Sequence, residues 1–193
     1  MQEPDGIPPP SGSNPRAMMA YNPFQRPHCR PIATGIDTAP LKAFCARLPF
    51  DAGCQFPDGR HLAASYTADE MLALSVLFQD AVEPHIGRPE VGLIWLLRMG
   101  PGDELPLHTD HEVTPILWKY PARMHLVISA SPGCRFYIAD ETIEQREGDL
   151  WQISGVTHVL HGARNDSCTD RLLGVFDVAD PDRRIAQAPA LVR

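Results

Sequence analysis

Leu105-Pro-Leu-His108-Thr-Asp110 sits among short apolar runs that read as strands. An extended backbone sends residues i and i+2 to the same face. A strand here therefore sets the imidazole of His108 beside the carboxylate of Asp110, and one face carrying both can hold one cation. Alone, His-x-Asp is common by chance and reads as polar surface. What lies on either side of it gives it weight.

Just upstream, the apolar run Gly92–Met99 ends at the turn sequence Gly100-Pro-Gly102. Downstream come Ile116–Ser129, interrupted at Pro121, then Cys134–Ala139. Leu150–Ile153 follows the turn Glu147-Gly148-Asp149, and Thr157–Asn165 and Arg171–Val178 complete the series. Short strands at short intervals, with helices gathered before them, predict a mostly β chain folded as an antiparallel barrel or sandwich. The helices are Leu41–Leu48, started by Asp37-Thr-Ala-Pro40, and a second one opened by the capping-box pattern Thr67-Ala-Asp-Glu70. In the second, Met71, Leu74, Leu77, Phe78, Ala81 and Val82 recur at helical spacing, a packing stripe expected to end before Pro84. Residues 1–30, rich in Pro, Gly, Ser and Asn, read as a disordered arm. One domain is expected over 31–180, with its barrel core over about 91–180 and a tail at 181–193.

The 193 residues carry a net charge of −7, which argues against a nucleic-acid partner. There is no apolar run long enough to span a membrane and no secretory signal pattern. Cys29, Cys45, Cys54, Cys134 and Cys168 are odd in number and irregularly spaced, which suits free thiols in a reducing cytoplasm.

A cation site needs a third donor, and the chain offers His158 and His161. Two histidines and one carboxylate on one face of an ion form the donor set of non-haem Fe(II) oxygenases, which leaves positions for a co-substrate and O₂. Ten residues past His161, Arg171 opens a strand, where its guanidinium can take a carboxylate bidentately beside the metal.

Further sequence elements accompany this order. Pro101-Gly102 lies six residues before His108, and Arg123-Met-His125-Leu126, Pro132-Gly-Cys134, Asp140-Glu141-Thr142 and Glu147-Gly148 follow. Asn165-Asp-Ser167 and Arg171-Leu-Leu-Gly-Val-Phe-Asp177 end the set. In these elements, from Pro101 to Pro181, the chain resembles the aspartyl/asparaginyl β-hydroxylase family of Fe(II)/2-oxoglutarate oxygenases, as a small bacterial member. The resemblance implies a double-stranded β-helix (a cupin-type jelly-roll barrel) with the N-terminal helices packed on it. It also implies Fe(II), 2-oxoglutarate and O₂, with hydroxylation of an amino acid or peptide residue as the reaction and succinate and CO₂ as co-products. Asp/Asn-type β-hydroxylation is the favoured form.

By position, the resemblance makes His108 the first iron ligand and Arg171 the partner of the distal carboxylate of 2-oxoglutarate. His125 would help bind the co-substrate, and Arg123 would face the co-substrate or a substrate carboxylate. The animal peptidyl enzymes have glycine where this chain has Asp110; Asp110 restores the ordinary triad. Between Gly148 and Asn165 the chain is about two residues longer than the family pattern, so either His161 or His158 can supply the distal ligand. The spacing to Asn165 and Arg171 favours His161. Without the resemblance, His125 reads as a core histidine and Arg123 as a surface ion-pair partner. Trp118 is a candidate for the substrate pocket, His111 and Glu112 for its rim, and Leu107 and Val127 for the apolar shield around the metal. Competing classes are a cupin-type metal enzyme that does not use 2-oxoglutarate, a non-enzymatic barrel that binds a small acid or peptide, and a nucleic-acid demethylase of the same barrel class, against which the lack of a basic, aromatic-studded stretch argues.

Overall fold

The structure is a computed structural model that describes residues 28–50, 62–63, 66–88, 90–110, 122–154 and 156–179. Its strands are β1 (Cys29–Ala33), β2 (Leu62–Ala63), β3 (Glu90–Met99), β4 (Glu104–His108), β5 (Ala122–Ser129), β6 (Cys134–Ile138), β7 (Glu141–Glu144), β8 (Leu150–Ile153), β9 (His161–Asn165) and β10 (Arg171–Ala179); its helices are α1 (Ala39–Cys45) and α2 (Ala68–Ile86). Six strands form a large sheet in the order β1-β8-β5-β10-β3-β2, and four form a small one, β4-β9-β6-β7. Every pairing is antiparallel. The two sheets face each other, which gives the jelly-roll barrel with helices packed on one side that the family resemblance implies.

Alternation along the large sheet divides two cores. Met124, Leu126 and Ile128 of β5 point outward with Ile94, Leu96, Phe176 and Val178, and meet Leu41, Phe44, Leu74, Phe78 and Val82 of the helices. Val127, Leu173, Val175, Met99 and Trp151 point inward and meet Phe136, Ile138 and Ala163 of the small sheet. The same alternation that sends Met124 and Leu126 to the helices sends Arg123 and His125, both buried, into the barrel.

Helix α2 starts where the capping box places it: the Thr67 hydroxyl accepts from the Glu70 N–H, and the Glu70 carboxylate accepts from the Thr67 N–H. It does not stop before Pro84. Proline removes one backbone donor and fixes a helix-compatible φ, and here it stands in the last turn with little helix beyond it. The helix runs on to the buried Ile86 and ends at Gly87, whose φ of 74° lies in the left-handed region. Strand β1 begins at Cys29, inside the expected arm. The backbone N–H groups of His28 and Cys29 donate to the Glu141 carboxylate at 2.6 and 3.1 Å, and β1 pairs with β8. The rest of the arm, the tail from residue 180, His111, Glu112 and Trp118 lie outside the described residues.

Candidate metal centre

Strands β4 and β9 pair so that His108 stands opposite His161. Their rings lie with centroids 4.4 Å apart. Each ring is turned by the same local device. His108 Nδ1 lies 2.8 Å from the carbonyl oxygen of Pro106, and His161 Nδ1 lies 3.1 Å from that of Val159, in each case two residues back. A carbonyl only accepts, so Nδ1 carries a proton and, in the neutral ring, Nε2 is the nitrogen with the lone pair. Both Nε2 atoms face one oxygen of Asp110: Oδ1 is 3.3 Å from His108 Nε2 and 3.5 Å from His161 Nε2. Donor atoms from the three side chains all lie within 4.8 Å of one another. Two imidazole nitrogens and one carboxylate oxygen, turned toward a common point, fit a divalent transition-metal ion.

Asp110 reaches this point from beyond the end of β4, not from within it. Its backbone N–H donates to the Val156 carbonyl at 2.8 Å, which ties it to the segment leading into β9. Burial works to raise its pKa, but the His108 and His161 rings at 3.3 and 3.5 Å from Oδ1, and the charge of Arg123, outweigh that and hold it well below the ordinary carboxylate range. It is an anion ready to take a cation. His158 lies in the turn before β9, is exposed, and is not part of the donor cluster.

Arg171 opens β10 and is 2% exposed. Its Nε donates to Gln145 Oε1 at 3.0 Å, Nη2 donates to the same oxygen, and Nη1 lies 3.1 Å from Met99 Sδ. Among the described residues no carboxylate is in ion-pair reach, and burial lowers its pKa to about 10. A buried cation held only by an amide oxygen and a thioether is costly unless an anion completes it. Nothing in the sequence pattern marked Gln145. Its one signal was to be the single uncharged residue in Glu144-Gln-Arg-Glu147, where a solvated turn would favour charge.

His125 lies on β5 opposite Val175 of β10 and Trp151 of β8. It is buried, and its Nδ1 has no hydrogen-bond partner among the described residues. Burial and the nearby charges of Arg171 and Arg123 depress its pKa well below 6.5, so the ring is neutral. Arg123, two residues earlier, sits between two aspartates. Nε and Nη2 donate to Asp177 Oδ1 and Oδ2 at 2.9 and 3.0 Å, and Nη1 donates to Asp110 Oδ2. Val127 is fully buried in the barrel, whereas Leu107, which alternates with His108 on β4, is 61% exposed and shields nothing.

Residues 73–181, more than half of the chain, match the sequence model of the family described as aspartyl/asparaginyl beta-hydroxylase. No protein of curated function matches the sequence. Among solved structures, the chain is similar to an oxidoreductase of the 2OG-Fe(II) oxygenase family from Burkholderia pseudomallei, with 15% identity, 75% of this chain and 78% of that chain covered, and a TM-score of 0.54. It is also similar to the viral collagen prolyl hydroxylase of Paramecium Bursaria Chlorella virus-1, with 12% identity, coverage of 78% and 94%, and a TM-score of 0.49. At 15% identity the likeness to the first of these is one of fold alone. The family match rests on sequence, spans the histidines, the aspartate and both buried arginines, and extends back into α2: this chain belongs to the aspartyl/asparaginyl β-hydroxylase family, whose members are hydroxylase enzymes.

Proposed function

We propose that the protein is an Fe(II)- and 2-oxoglutarate-dependent hydroxylase of an amino acid or a peptide residue, with Asp/Asn-type β-hydroxylation as the favoured reaction. The observation that carries the reading is the His108–Asp110–His161 cluster in the same barrel as a buried Arg171 that has no carboxylate partner among the described residues. The first fits a divalent metal and the second fits the distal carboxylate of a dicarboxylic acid.

Fe(II) would be held by His108 Nε2, His161 Nε2 and Asp110 Oδ1. With O₂ and 2-oxoglutarate it supplies the oxidation that converts a C–H bond to C–OH, leaving succinate and CO₂. The chain's own residues bind and orient. Arg171 pairs with the far carboxylate of the co-substrate, and Gln145, already on two of its nitrogens, fixes the plane of the guanidinium. His125 stays neutral and offers one ring N–H to a co-substrate oxygen. Val127, Leu173, Val175 and Phe136 exclude water from the barrel around these groups. The family name supports an aspartyl or asparaginyl target. The four cysteines of the described residues are free, which supports a reducing, cytoplasmic setting, and no helix among them is long and apolar enough to cross a membrane.

The test is anaerobic titration of the apo-protein with Fe(II) and 2-oxoglutarate, followed by the visible charge-transfer band of the chelate. The band is expected in wild type and in His158→Ala, and is expected to vanish in His161→Ala. Iron binding without a band points to a metal enzyme that does not use 2-oxoglutarate. No iron binding points to a non-enzymatic barrel.

A further inference from the structure

We propose that Arg123 is a positioning residue for the metal-binding carboxylate. It holds Asp110 so that a single oxygen is presented to the metal, and Asp177 holds Arg123 in turn. The inference rests on the metal reading above and adds residues to it.

The carboxylate of Asp110 is divided between two environments. Oδ1 faces both imidazole Nε2 atoms, at 3.3 and 3.5 Å, while Oδ2 accepts from Arg123 Nη1. Asp110 lies past the end of β4, so the strand pairing that fixes His108 does not extend to it. Its backbone is tied at the N–H, and its side chain needs a separate hold. Arg123 can give one because it is itself immobile. It is 4% exposed, stands directly opposite Asp177 in the β5–β10 ladder, and is joined to it by two parallel N–H···O bonds of 2.9 and 3.0 Å. The Trp95 ring covers the guanidinium, with Cζ 5.0 Å from its centroid. Asp177 is completely buried, so this end of the relay is part of the barrel wall.

Two consequences follow for the metal. A carboxylate whose second oxygen is engaged takes up one coordination position instead of two. That leaves room for a chelating co-substrate and O₂ beside three protein donors. The charges also balance: Arg123 and Asp177 cancel, so Asp110 keeps its full negative charge for the cation. An Arg123 without Asp177 would place a bare positive charge beside the metal. Each nitrogen of Arg123 reaches a carboxylate belonging to the protein. This separates its role from that of Arg171, whose nitrogens reach none among the described residues.

The experiment is a titration of Co(II) into the metal-free full-length protein in the absence of 2-oxoglutarate, read by visible absorption. Arg123→Gln/Asp177→Asn removes both charges together and can keep a neutral hydrogen-bonded pair, so it avoids burying an orphan carboxylate. The Co(II) Kd is expected to rise about 10- to 100-fold in this variant, the usual cost of losing a partner that orients a ligand, with a changed cobalt spectrum. In an Asp110→Ala background the same two substitutions are expected to change the Kd no further, because Arg123 acts through Asp110. An unchanged Kd and spectrum would overturn the proposal, even if 2-oxoglutarate affinity dropped; Arg123 would then be a co-substrate residue. An equal loss in the Asp110→Ala background would also overturn it, as a purely structural role. If near-UV circular dichroism shows the double variant unfolded, Arg123→Lys takes its place, with the same criteria on Kd and spectrum. A wild type that takes up no Co(II) brings down the metal reading itself, and this inference with it.

Discussion

His125 shows what a single residue contributes and how far a sequence exposes it. The Arg-x-His-Leu segment points to a histidine with a role, and alternation on β5 turns it inward with Arg123, away from Met124 and Leu126. The sequence does not state its charge. Burial first, then Arg171 and Arg123, depress its pKa well below 6.5. In the unfolded chain the same imidazole takes up a proton near pH 6.5. Below that pH the unfolded state holds a proton that the folded state refuses, so stability is lost as pH falls. While the folded ring stays neutral the loss is about 1.4 kcal/mol per pH unit. Urea denaturation at neutral and mildly acidic pH should show a slope shallower by about that amount in His125→Leu than in wild type. Equal slopes would mean that the ring protonates in the folded protein. Other residues were legible to different degrees. His108, Asp110 and Arg171 were readable from their order. Spacing to Asn165 and Arg171 favoured His161 over His158 without excluding the latter, because Thr157–Leu160 is a turn that reads like strand; the start of β9 at His161 is what turns that ring toward Asp110. Gln145 escaped altogether, since its importance comes from burial against Arg171 and not from its neighbours in sequence.

At the scale of elements, Leu150–Ile153 and the run closing at Met99 were plain from composition, and β7 was not: Glu141-Thr-Ile-Glu144 has Ile143 as its one apolar residue and belongs to an edge strand. The join of α2 to the sheet was legible only in part. The helical stripe named Phe78 as a core residue, but where it lands depends on Gly174 in the β10 motif. A Cβ built on Gly174 would lie 2.1 Å from Phe78 Cζ, a distance no real contact reaches. Phe78 also meets Phe176 edge-on at 5.2 Å. The glycine therefore lets a ring from the helix rest on the backbone of the strand that begins with Arg171 and ends past Asp177. Gly174→Ala is expected to destabilise the protein by about 1–3 kcal/mol through overpacking. Phe78→Leu in the same chain should recover part of that loss, since it removes the atoms in conflict. Denaturation of the two single variants and the double variant checks this through the coupling term. Strictly additive effects would place the strain elsewhere.

For the whole molecule, the disposition of the site across the two sheets matters most. The two candidate metal histidines belong to β4 and β9 of the small sheet, while Arg171 and His125 belong to β10 and β5 of the large one. The sheets are joined by side-chain packing in the barrel and by a few polar ties. One tie is the buried Asn165 at the end of β9, whose amide donates to the carbonyls of Met99, Gly100 and Thr169 around the mouths of β3 and β10. A metal on one sheet and a dicarboxylate anchored on the other would bridge the barrel wall to wall. Binding to the folded state alone stabilises it, by about 2.7 kcal/mol at a ligand concentration one hundred times Kd. If the two ligands also touch each other, each raises the affinity for the other, and the coupling is reciprocal. A thermal melt with Mn(II) alone is thus expected to show a clear rise in Tm. One with 2-oxoglutarate alone should show a smaller rise, because Arg171 is then its main anchor. Both together should exceed the sum. Arg171→Lys should keep the Mn(II) shift and lose the excess, because an ammonium cannot replace the planar fork. Shifts that merely add would mean that the two ligands occupy separate sites, and the bridge between the sheets would have to be abandoned.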